Sequence, residues 1–83
     1  MALDTRGWLD RYAAALGLPP VSDDDIEALL TLSGVAAHAS ERTAAPISCY
    51  LVARSGVPIV EALAAARRLA DEPGSLGGPG EAP

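Results

Sequence analysis

Four side chains with chemical potential lie close together in this sequence. His38, Glu41, Arg42 and Cys49 all fall in HASERTAAPISCYLVAR, residues 38–54, with the chain's one histidine and one cysteine. An imidazole titrates near neutrality and suits a general base or a metal ligand. A guanidinium fork suits an anionic ligand. A thiol becomes a nucleophile only beside a base that lowers its pKa. Each residue also has a plainer role. His38 falls near a helix end, where it favours the C-terminal dipole. Glu41 and Arg42 fall in a corner between helices, where such a pair often satisfies exposed backbone, and Arg42 could reach an acid of the first or second helix. Cys49, flanked by Ser48 and Tyr50, reads as a small buried thiol more than as half of a Cys49–His38 pair.

Other chemistries find less support. One histidine and one cysteine cannot fill a zinc site without carboxylates. Asp23, Asp24 and Asp25 lack the spacing of an EF-hand loop and fit the first turn of a helix instead. The glycines between 74 and 80 have no strand before them and no helix after, so they form no phosphate cradle. The residues therefore predict no catalytic centre, no metal and no cofactor. His38, Glu41 and Arg42 remain as a candidate contact surface for a partner or ligand.

Composition narrows the class. The chain has 83 residues, enough for one small domain of marginal stability. It is 49% hydrophobic, which suits a globule, yet much of that is alanine, which buries little area. Trp8, Tyr12 and Tyr50 are its aromatics and are expected to carry much of the core. The net charge is −5 and every basic residue is Arg. An acidic chain without a basic stripe argues against nucleic acid and against anionic membranes. A lone thiol, no signal-like apolar start and no span of about 20 apolar residues predict a cytoplasmic location.

The elements that must position these groups are helices. Trp8, Tyr12 and Leu16 recur at helical spacing over 4–17, with Asp4 or Thr5 as the cap and Gly17 at the end. Ser22 caps a second helix over 23–40, with Asp25 at the capping-box position. Ile26, Leu29, Leu30, Ser33 and Ala37 form its face and Leu32 and Val35 widen it, so it should be central. Gly34 inside it costs about 1 kcal/mol against Ala, which implies close approach of a neighbouring helix. A third helix covers 45–55, capped by Thr43 or Ala44, with Pro46 in its first turn and Gly56 at its end. Ile47, Tyr50, Leu51 and Arg54 share one of its faces. A fourth covers 58–71 behind Pro58, with Ile59 or Val60, Leu63, Ala66 and Ala70 aligned. Residues 72–83 are Gly/Pro-rich and read as a disordered tail after a helical domain over 1–71. The expected fold is all-α: a small four-helix bundle, antiparallel or partly orthogonal.

WLDRYAAALGL (8–18) followed by DIEALLTLSGVAAHASERTAAPISCYLVAR (25–54) resembles a small actinobacterial domain of unknown function, the DUF6457 family. The likeness rests on Trp8-Leu9, the stretch from Leu29 to His38, Arg42, Ala45-Pro46 and Leu51, and spans about residues 6–70. Pro58 departs from the Gly-containing segment expected before the last helix. The resemblance implies a context: such domains occur beside, or fused to, molybdenum cofactor guanylyltransferases. The nucleotidyltransferase motifs of those enzymes are absent here. What the resemblance implies is a non-catalytic accessory module for a protein partner, either such a guanylyltransferase or a molybdoenzyme. Two alternatives stay open. One is a small enzyme or cofactor-binding protein using His38, Glu41 and Arg42, perhaps with Cys49. The other is a self-associating domain, a homo-oligomer with Trp8 and Tyr12 at its seam.

Overall fold

The computed structural model describes residues 4–72, which form four α-helices and no strand. Asp4 opens α1, Thr5–Ala15: its Oδ1 accepts the Gly7 N–H at 2.7 Å. Gly17, at φ +75°, closes it. The Leu18 N–H reaches the Ala13 carbonyl at 2.8 Å and the Gly17 N–H reaches that of Ala14 at 3.0 Å. This paired closure needs a left-handed residue at position 17, which glycine adopts without a Cβ penalty.

Ser22 begins α2, Asp23–Ala39, by accepting the Asp25 N–H at 3.1 Å. Three aspartates fill its positive first turn. Thr43 precedes α3, Ala44–Ser55, but its hydroxyl makes no capping bond. The corner backbone starts this helix instead, with Ala44 N–H to the Glu41 carbonyl at 2.9 Å and Ala45 N–H to that of Arg42 at 3.1 Å. Pro46 follows, where no helical N–H partner is required. Gly56, at φ +74°, ends α3. Pro58 stands immediately before α4, Ile59–Asp71, and its carbonyl takes the Ala62 N–H at 2.9 Å.

The expected bundle is observed, with α2 at its centre, packed along both α3 and α4. Leu32 of α2 is 2% exposed and Ala13 of α1 is also buried; no other described residue is. Half-buried residues complete the inner faces: Val35 and Ala36 on α2, Ser48, Cys49 and Val52 on α3, and Ile59, Leu63, Ala66 and Ala70 on α4. Four of these nine are alanine or serine, and only two described residues are buried outright, so the core is thin.

Several expected core residues lie elsewhere. Trp8, Tyr12 and Leu16 sit on the outer side of α1, each at least half exposed, while Leu9 and Ala13 turn inward. Tyr50 is exposed too, so the three aromatics do not build the core. Leu30 is 64% exposed and Val60 72%, whereas Ile26, Leu29, Leu32, Ser33 and Ala37 on α2 and Ile59 on α4 turn inward. Gly34 faces open space: a Cβ there would meet nothing within 4 Å. No neighbouring helix explains that glycine. The Gly/Pro-rich tail expected over 72–83 lies outside the described residues beyond Glu72. No helix among the described residues is long and apolar enough to cross a membrane.

Candidate functional site

The corner residues separate once the chain is folded. His38 occupies the last turn of α2, exposed, and lines an open groove of about 550 Å³ with Gly34 on its own helix and Arg67, Ala70 and Asp71 on α4. Glu41 and Arg42 line a different depression with Thr43 and Pro46. Sequence proximity joins three polar residues that the fold assigns to two sides of the α2 terminus. Among the described residues, the side chains of Glu41 and Arg42 make no hydrogen bond or ion pair; their carbonyls do the structural work at the start of α3. Arg67 and Asp71, the charged neighbours of His38, come from α4. No local pattern could have revealed them.

The arginine that ties helices together is Arg6. Its guanidinium donates to Asp10 Oδ1 at 3.1 Å, to the Val21 carbonyl at 2.7 Å, and to Asp23 Oδ1. Its hydrogen bonds to Asp23 first and Asp10 second hold it above its ordinary pKa. The planar fork lets one side chain serve three acceptors. The side chain is 36% exposed, so salt screens the charge part of this clamp. Asp23 thereby joins an ion pair, and Asp23, Asp24 and Asp25 together are a helix start. No group of three His, Cys, Asp or Glu among the described residues could hold a metal.

Cys49 is half-buried, with its Sγ 3.4 Å from Ser33 Oγ across the α2–α3 contact. It also lines a small pocket with Leu29, Val52 and Ile59. Its polar neighbour is thus a hydroxyl, and His38 lines a different groove. The pairing of Cys49 with a basic imidazole, which a thiolate nucleophile would need, is not formed.

What the surface offers instead is apolar. The Trp8 and Tyr12 rings stack with centroids 5.5 Å apart and planes at 16°. Leu16 continues their row by one more turn. On α3, Ile47, Tyr50 and Leu51 form a second exposed row, with Arg54 laid along it: its Nη1 donates to the Tyr50 hydroxyl at 2.9 Å and its Cζ is 5.7 Å from the ring centroid. Between α2, α3 and α4 an uncharged groove of about 390 Å³ is lined by Val35, Ala36, Ala44, Ser48, Ala66 and Leu69. Such surfaces contact other apolar surfaces.

The family model for a domain of unknown function, DUF6457, matches residues 2–75. The chain belongs to the DUF6457 family. The match covers all four helices and both exposed apolar rows, so these belong to the DUF6457 domain itself. Comparison with curated proteins and with solved structures gives no match.

Proposed function

We propose that this DUF6457 domain is a non-catalytic helical module that docks on a protein partner. The observation that carries the proposal is the outer face of α1, where Trp8 and Tyr12 stack and stay half exposed, while only two of the described residues are buried. Large aromatics cost little side-chain entropy to order and dominate binding energy at interfaces. α1 is also the helix with no extensive packing partner in the bundle, so its outer face is free to meet another chain. Asp10 and the Arg6–Asp23 pair lie on the opposite, inward side of α1, so this row carries no acid of its own. An apolar row of this kind favours a partner that offers an apolar pocket.

The molybdenum context rests on the family resemblance. The partner we propose is a molybdenum cofactor guanylyltransferase or a molybdoenzyme, with this domain acting in maturation of the molybdopterin guanine dinucleotide cofactor. His38, Glu41 and Arg42 remain candidate contacts for a partner or ligand. Titration calorimetry of the purified chain against the host's guanylyltransferase tests the proposal directly. Binding lost in a Trp8→Ala, Tyr12→Ala double variant is the expected result. No heat with the guanylyltransferase or with the host's molybdoenzymes removes the molybdenum context. Binding that ignores both substitutions removes α1 as the docking face.

A further inference from the structure

The helix α3 differs from the other three in one respect that bears on the occupant of its exposed row. Ala44–Ser55 contains no acidic residue, whereas α1, α2 and α4 each carry at least one. Its only charge is Arg54, and that guanidinium is folded back onto Tyr50. Each chain carries a net charge of −5. Two copies therefore repel in most orientations, and like charges brought face to face cost binding energy. The outer face of α3 is where two copies can meet without opposing carboxylates on the helix.

We propose that a second copy of this chain docks on the outer face of α3, α3 against α3 about a two-fold axis. Ile47, Tyr50 and Leu51 are 59%, 56% and 60% exposed, and their spacing of three and four residues makes a seam for helix-to-helix packing. A two-fold contact sets the same row against itself, so every apolar side chain finds an apolar partner. The helix is 12 residues long and the row is three side chains wide. Such a seam falls at or below the low end of specific interfaces, roughly 1,200 Å² in total. The pair is therefore a weak one. This self-association is independent of the partner proposed for α1.

Sedimentation equilibrium of the full chain from about 10 µM to about 1 mM gives the mass. A concentration series of amide NMR spectra gives the place. The expected result is a monomer–dimer equilibrium in which dilution shifts the signals of Ile47, Tyr50, Leu51 and Arg54 and leaves those of Trp8 and Tyr12 in place. Leu51→Glu, at a position already exposed in the monomer, should weaken the dimer by about tenfold or more. The spectra of the unaltered chain locate the seam even if that variant fails to fold. A monomer throughout the range, or dilution shifts confined to α1, would overturn the proposal. Raising salt should tighten the dimer, since screening relieves repulsion between two acidic chains; a several-fold loosening by salt would also overturn it.

Discussion

The Arg6 guanidinium donates to the Val21 carbonyl at 2.7 Å, across the turn that joins α1 to α2. With Asp10 on one side and Asp23 on the other, this contact sets where α1 stands against the rest of the bundle. Arg6→Ala should therefore loosen α1 selectively. Amide exchange in residues 9–15 should accelerate while the central turns of α2 stay protected. Arg6→Lys should rescue little, since a point charge cannot replace a fork that serves three acceptors. Equal acceleration across all four helices would show that Arg6 supports the whole fold and not one helix.

Two glycines should answer the same substitution with opposite signs. Gly34 lies inside α2 with nothing within 4 Å of an added Cβ. Gly34→Ala should stabilise the monomer by about 1 kcal/mol, or about 4–8 °C in melting temperature for a domain of this size. Gly17 holds a φ of +75°. Gly17→Ala should destabilise by about 1–2 kcal/mol, because a Cβ resists the left-handed conformation that closes α1. Thermal melts of the two variants side by side decide both.

Leu32 is the large side chain the bundle buries fully. Leu32→Ala should cost about 2–5 kcal/mol. Small domains hold about 5 kcal/mol at the low end of their range, so this one change should leave much of the chain unfolded. A cooperative urea transition with an unchanged midpoint would show that the core lies elsewhere.

Trp8→Ala should behave in the contrary way. The side chain is 55% exposed, so its loss should change monomer stability by less than about 1 kcal/mol. It should weaken partner binding by 2 kcal/mol or more, about thirtyfold. Paired melting and binding measurements separate the two; a large loss of stability with intact binding would make Trp8 a core residue.

The comparison of Trp8 with Leu32 shows what was legible and what was not. Helix spans follow from local causes, and the residues display them: Ser22 at the α2 start, Gly17 and Gly56 at two ends, Pro46 and Pro58 at two beginnings. Each satisfies or removes a backbone group within a few residues, so no distant contact is needed. The inward face of α4 was legible as well, because Ile59, Leu63, Ala66 and Ala70 make a row opposed by charged residues. For α1 the pattern misleads. Trp8, Tyr12 and Leu16 form its most apolar row, yet the chain turns Leu9 and Ala13 inward, because Arg6 on that side is pinned to Val21 and Asp23.

The corner of His38, Glu41 and Arg42 fails for a related reason. Three residues within one turn and a half of chain look like a cluster. The reversal between α2 and α3 sends His38 toward α4 and Glu41 and Arg42 toward Pro46. The sequence by itself determined four helices, their ends, the absence of a strand pattern and the family. Only the tertiary structure decided which faces stay open, because alanine occupies several faces of each helix and makes inward and outward nearly equal in burial. Where small residues leave that choice undecided, a few long-range contacts such as Arg6 to Val21 and Ser33 to Cys49 settle it. They leave the large apolar side chains of α1 and α3 for other surfaces to cover.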